Sequence, residues 1–308
     1  MDWSKSEMQE AVVEVARPIL KEGAGAWAAL QQAEVTTLDS FVDLATLLIE
    51  VGRAGNRVPA LSELVLGAPA GPGATAALIQ RGSRDPRRPS VSVSGDRLTG
   101  QATCVPGVDH ATRIVVPTTG GLYVCALADC AVERQAGTDG DALGRVTFDG
   151  TAGERLGGDD LIEPWLARVE VGICAVLLGL SQEALRLTAA YVGQRQQFGR
   201  PIGGFQAVQQ RAADAWIDLQ AMEVTMWQAA WRVDEGLPSA RERAIARYWA
   251  SEGGHRVVAS AQHLHGGFGF DRDYPLHRYF LATKQLEFLL GGSEGQLERL
   301  GGLVAAAG

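Results

Sequence analysis

Apolar positions near the N-terminus follow a helical period. Val12, Val13, Val15, Ala16, Ile19 and Leu20 fall on one such pattern, and Phe41 to Val51 repeats it. Asp39 and Ser40 both stand where a cap for the second helix is expected. The segment 67–73 reads GAPAGPG, a run of helix breakers. From residue 73 to about 157 the pattern becomes short runs rich in glycine, threonine and valine: SVSVSGDRLTG, RIVVPT, GLYVCALA and GRVTFDG. Gly95-Asp96 and Gly120-Gly121 lie between such runs, at hairpin positions. A small antiparallel sheet or barrel is predicted there. From about residue 158 the helical period returns. Leu161–Gln194 is apolar on most faces, which predicts a helix inside a bundle. Phe205–Gly236, Ser239–Leu264 and Pro275–Leu290 supply three more helices. The expected fold is mainly α with a small β domain: an N-terminal helical region over 1–72, a middle β domain over 73–157, and a C-terminal four-helix bundle over 158–308.

Composition narrows the function classes. The chain has 308 residues, 46% hydrophobic and 21% charged, enough for one large or several small folding units. A formal net charge of -8 argues against nucleic acid as a main partner, because phosphate binding needs a basic surface. No apolar run reaches the roughly 18 residues of a membrane span. The stretch MDWSKSEMQEAVVEVARPIL is amphipathic rather than a secretory signal, so a cytoplasmic location is expected. Cys104, Cys125, Cys130 and Cys174 form no CxxC pair and no metal-ligand spacing, and they read as isolated thiols in a reducing compartment. The basic run RGSRDPRR over 81–88 reads as a solvated turn, with contact to an anionic cofactor or partner chain as the alternative.

Two motifs carry chemistry. The first is Arg195-Gln-Gln-Phe198-Gly199 followed by Pro201-Ile202-Gly-Gly-Phe205-Gln206; the second is His263-Leu-His265-Gly266-Gly267-Phe-Gly269-Phe270 followed by Tyr274-Pro275. Arg195 offers a planar, permanently charged donor set suited to a pyrophosphate oxygen. Phe198 offers a flat face for an adenine, and Gln206 can donate and accept at a cofactor edge. Gly266 and Gly267 permit the positive φ and close backbone approach of a diphosphate cradle, though a helix C-cap would also use them.

With Gly179-Leu-Ser-Gln182-Glu-Ala184-Leu185 on the preceding helix, these motifs make the chain resemble the acyl-CoA dehydrogenase family over its C-terminal half. That resemblance implies FAD bound across a subunit interface. Arg195, Phe198, Gln206, Gly266 and Gly267 would hold the adenine and diphosphate end of a flavin whose ring sits mainly in the neighbouring subunit. His263 falls where the family commonly has glutamine. The resemblance also implies α,β-dehydrogenation of an acyl-CoA, with an electron-transfer flavoprotein-like acceptor.

The same resemblance exposes losses. The family's base is a carboxylate within reach of the substrate α-carbon. At the two positions where it arises, this chain has Leu290, or Gly291 if one gap is allowed, and Val169. Glu170, Glu287 and Glu294 lie nearby and read as solvated surface acids, with Glu170 the fallback base. In the β domain the family's flavin-packing positions hold Cys104 and Pro106. The chain thus resembles the smaller, degenerate partner in α2β2 acyl-CoA dehydrogenases of actinobacterial steroid side-chain breakdown, in which a homologous subunit supplies the base. The alternatives are a homomeric enzyme using Glu170, and a flavin-free scaffold or acyl-CoA-binding protein.

Overall fold

The computed structural model describes residues 5–23, 25–55, 58–289 and 291–306. It divides into two units, one formed by residues 1–56 with 170–308 and the other by residues 57–169. The division falls within the longest helix.

The N-terminal helices pair with the C-terminal ones in the first unit. α1 (Glu7–Glu22) opens with a reciprocal cap: Ser6 Oγ accepts from the Gln9 N–H at 3.2 Å, and Gln9 Oε1 accepts from the Ser6 N–H at 2.9 Å. α2 (Ala26–Gln32) is short. α3 (Phe41–Ala54) is capped by Ser40, whose Oγ accepts from the Asp43 N–H, so of the two candidate caps Ser40 acts. Its buried Glu50 receives both arms of Arg17, at 2.8 and 2.9 Å.

The second unit begins with a π-helical turn (Ser62–Leu66) and a 3-10 turn at Ala68–Ala70, inside the breaker run. Nine strands follow: β1 (Ala74–Ala76), β2 (Ile79–Gln80), β3 (Ser92–Ser94), β4 (Arg97–Pro106), β5 (Arg113–Thr118), β6 (Gly121–Ala126), β7 (Ala131–Ala136), β8 (Ala142–Ala152) and β9 (Glu154–Gly157). One sheet runs β1-β5-β6-β9 and the other β2-β4-β8-β7, with β3 paired to β4. Both predicted hairpins form, β3–β4 around Gly95-Asp96 and β5–β6 beside Gly120. An all-antiparallel sheet was expected, yet β1 runs parallel to β5. The chain leaves the first sheet after β1, builds most of the second, and re-enters in its original direction. Val91, Leu98, Val105, Ile114, Val146 and Phe148 fill the core of this unit. The basic run does not hang free: Arg87 reaches Glu163 at 2.7 Å, and Gln80 Oε1 accepts from the N–H groups of Ser90 and Val91.

α4 (Asp159–Gln194) leads to a two-residue hairpin of β10 (Gln196–Gln197) and β11 (Arg200–Pro201), then α5 (Gln206–Asp234), α6 (Ala240–His265), a 3-10 turn (Gly266–Phe270), α7 (Leu276–Leu289) and α8 (Gly292–Ala305). α8 is an addition to the four helices predicted. Four glycines within it, Gly292, Gly295, Gly301 and Gly302, suppress its helical propensity, so tertiary contacts must hold it. Among the described residues no helix is long and apolar enough to cross a membrane.

α3 and α4 meet backbone to backbone. A Cβ on Gly179 would lie 2.0 Å from the Ile49 carbonyl oxygen, and one on Gly52 would lie 2.2 Å from that of Val176. Gly179→Ala must push the helices apart, because the obstacle is main chain and cannot rotate away. We expect a loss of about 3 kcal/mol, the upper end of overpacking costs, read as a lower urea midpoint with an unchanged slope.

Candidate functional site

The two motifs lie about 70 residues apart in sequence, and an aromatic cluster joins them. Tyr191, one turn before Arg195 on α4, stacks on His265 at 4.4 Å between centroids. Tyr274, 5.1 Å from His265, and Phe268, 6.0 Å from both Tyr191 and Tyr274, close the cluster. His265 is buried. Its Nδ1 lies 2.7 Å from the Ala261 carbonyl, which makes Nδ1–H the donor, and leaves Nε2 to accept from the Tyr274 hydroxyl at 3.1 Å. Burial lowers its pKa, which keeps the ring neutral. This box fixes the chain that enters the glycine turn. Gly266 there has φ 58° and ψ -134°, a conformation open to glycine almost alone.

Arg195 and Phe198 lie just before and within the turn of the β10–β11 hairpin that follows α4. Arg195 is exposed and makes no ion pair among the described residues. Phe198 is 91% exposed in a left-handed conformation, φ 53°, with only the edge of Phe205 beside it at 6.1 Å. A bulky aromatic held open in a strained backbone fits a surface awaiting a ligand or partner better than a folding contact. Gln206 is exposed at the first residue of α5. His263 is exposed on α6 and lines a groove of about 850 Å³ between α5 and α6, with Val208, Arg211, Ile217, His255 and Ser260. An ion pair of Arg256 with Asp218, at 2.5 and 2.8 Å, forms part of the wall. A free guanidinium, an exposed ring and a glycine-only turn are groups able to meet an anionic or aromatic ligand, and the groove itself is lined by both signs of charge, Arg211 and Arg256 with Asp214 and Asp218.

The three nearby acids divide. Glu294 is exposed in the first turn of α8, as expected. Glu287 is half-buried and paired to Lys284 at 2.9 Å. Glu170 corrects the reading of a solvated acid: it is only 4% exposed. Its Oε2 accepts from Arg243 at 2.6 Å, and its Oε1 from Arg247 at 2.7 Å and Arg299 at 2.6 Å. Three charge-assisted hydrogen bonds occupy both of its oxygens. It fastens α6 and α8 to α4. Nearby Cys174 is buried, and desolvation pushes its thiol up to about 12. Of the two base positions, Val169 is buried and apolar; Gly291 caps α8 in a left-handed conformation, and Leu290 lies outside the described residues. The cage was missed in the sequence. Its only trace is Arg243 and Arg247, one turn apart among the alanines of α6, where two cations on a small apolar face call for a buried anion.

In the β unit, Cys104 stands in a left-handed conformation, φ 52°, at a bulge in β4 between Ala102 and Val105. Its N–H donates to Gln135 Oε1 at 2.9 Å. Thr75 Oγ1 donates to the Pro106 carbonyl at 2.5 Å. Proline itself has no N–H to present at that position.

Residues 161–303 match the model of the acyl-CoA dehydrogenase C-terminal domain. Mycobacterium tuberculosis FadE27, an acyl-CoA dehydrogenase, is 43% identical over 225 residues, 67% of this chain and 60% of that protein. FadE28 from the same organism, also an acyl-CoA dehydrogenase, is 31% identical across 98% of both chains. Two solved structures superimpose closely. A variant of the Tcur3481–Tcur3483 steroid ACAD gives a TM-score of 0.92 at 31% identity over 98% of each chain. The ChsE4–ChsE5 complex of M. tuberculosis gives 0.89 at 32% identity over 99% of each chain. Members of this group use FAD. Full-length similarity to FadE28, together with the matched C-terminal domain, shows that the chain belongs to the acyl-CoA dehydrogenase family.

Proposed function

We propose that this chain is the non-catalytic member of a heteromeric, FAD-dependent acyl-CoA dehydrogenase, in which a homologous subunit supplies the base. The observation that carries the proposal is the cage around Glu170. The one buried acid beside the base positions is committed to three arginines, and Val169 and Gly291 offer no carboxylate. A homomeric enzyme using Glu170 would have to break that cage in every turnover.

In this reading bound FAD supplies the hydride acceptor. Arg195 would neutralise its diphosphate, Phe198 would cover its adenine, and Gly266 and Gly267 would let the main chain approach. Gln206 and His263 would hydrogen-bond at the cofactor's edge. The neutral His265 holds the glycine turn in place for them. The bulge at Cys104 and the missing donor at Pro106 leave the chain poorly furnished to hold a flavin ring of its own. The two similar complexes, one of them a steroid ACAD, support an assembly of unlike subunits acting on a bulky acyl-CoA such as a steroid side-chain thioester. The acceptor would be an electron-transfer flavoprotein-like protein, and the setting cytoplasmic.

Purification of the chain alone and with its catalytic homologue tests the assignment. Alone, it is expected to carry little FAD and give no turnover; together, the two chains should bind flavin and dehydrogenate. Stoichiometric flavin and turnover in the isolated chain would defeat the proposal.

A further inference from the structure

Four thiols that read in sequence as isolated do not all stay so. Cys125, on β6, and Cys130, just before β7, lie with their sulfur atoms 3.8 Å apart. The intervening 3-10 turn (Leu127–Asp129) brings them together as the chain crosses from one sheet to the other. We propose that Cys125 and Cys130 are a redox-active dithiol that closes to an intramolecular disulfide on exposure to hydrogen peroxide. The proposal is independent of the flavin assignment, although reduced flavins in general generate this oxidant from dioxygen.

The two sulfurs differ in environment. Cys125 is buried, 5% exposed, whereas Cys130 is partly open to solvent. Cys130 turns its own proton toward the Ala126 carbonyl at 3.5 Å and so receives the Cys125 thiol hydrogen bond, which holds its pKa below the usual thiol range against burial and the charge of Asp129. Cys125, as the donor in that hydrogen bond and the more buried group, is pushed upward. Cys130 is therefore the nucleophile and Cys125 the resolving thiol. The Cys130 thiolate attacks one peroxide oxygen, the O–O bond breaks, and hydroxide leaves, giving a sulfenic acid. The Cys125 sulfur then attacks the Cys130 sulfur and displaces the hydroxyl group as water, with the Cys125 proton passing to solvent base. In sum, two thiols and one hydrogen peroxide give one disulfide and two waters, and a small dithiol reductant reverses the change.

The other cysteines serve as internal controls. Cys104 is partly exposed but has no thiol beside it, and Cys174 is fully enclosed with its thiol pushed up to about 12. Cys125 and Cys130 fall on one tryptic peptide, Ile114–Arg134, with no internal lysine or arginine. The folded protein, in complex with its catalytic homologue, is treated with hydrogen peroxide, alkylated, digested and weighed. The peptide Ile114–Arg134 is expected lighter by two hydrogen atoms and unalkylated, restored by dithiothreitol, and formed about tenfold faster than Cys104 is lost. Cys125→Ser should trap Cys130 as a sulfenic acid that reacts with dimedone; Cys130→Ser should leave Cys125 alkylatable at the same peroxide dose. Two alkylated thiols after peroxide, loss no faster than at Cys104, or a Cys125→Ser protein without a dimedone adduct at Cys130, would overturn the proposal.

Discussion

Glu170→Gln should destabilise the chain by about 3–5 kcal/mol, the range for breaking a buried ion pair by removing one partner. The substitution keeps the shape of the side chain and removes its charge, leaving three guanidinium groups converging on one amide. The arginines do not share the burden equally. Arg247 and Arg299 retain side-chain exposures of 13% and 21% and can turn partly to solvent, whereas Arg243, at 3%, cannot. The lower part of the range is therefore expected, with Arg243 bearing most of the cost. α8 should loosen first, since the Arg299 contact ties a glycine-rich helix to α4. Denaturant unfolding of the isolated chain reads the loss, and hydrogen exchange along 292–305 reads the loosening. The same variant separates two functions for Glu170. Assembled with its catalytic homologue at a temperature where it stays folded, it should retain normal turnover. If Glu170 were the base, turnover would vanish as well.

Arg195→Ala should weaken FAD binding by the complex about 10- to 100-fold and leave stability within about 0.5 kcal/mol. The first figure follows from losing charge-assisted hydrogen bonds to a diphosphate, about 1.5–3 kcal/mol, at 1.4 kcal/mol per tenfold. The second follows because Arg195 is exposed and forms no ion pair among the described residues, so folding owes it little. Flavin absorbance per assembled pair, with a titration of added FAD, measures both the content and the affinity. A flavin-free scaffold predicts no change in either. Lys in place of Arg should recover only part of the affinity, because a point charge cannot reproduce the planar fork.

How much of this was legible beforehand depended on range. The Ser40 cap, both hairpins and the span of α4 come from signals within a few residues, and each was readable. α8 was not, because its glycines oppose helix formation and the contact that ties it down, Arg299 to Glu170, spans 129 residues. The parallel pairing of β1 with β5 was hidden for the same kind of reason: neither strand carries a mark of the direction in which the chain will return. Among candidate site residues, Arg195, Phe198, Gln206, His263, Gly266 and Gly267 were named from motif spacing. The box of Tyr191, His265 and Tyr274 that joins the two motifs was overlooked, since only the fold sets a ring on α4 against one on α6.

The amino-acid sequence by itself determined the order of helical, β and helical segments, the two motifs, and the lack of an acid at Val169 and Gly291. These are matters of residue identity and local period, which no packing can alter. The tertiary structure alone decided what Glu170 and the cysteines are. The three arginines that hold Glu170 lie 73, 77 and 129 residues away, and a carboxylate's protonation is governed by charges within a few ångströms, wherever they come from in the chain. Cys125 and Cys130, five residues apart, became a pair only because a 3-10 turn aims both sulfurs at one point.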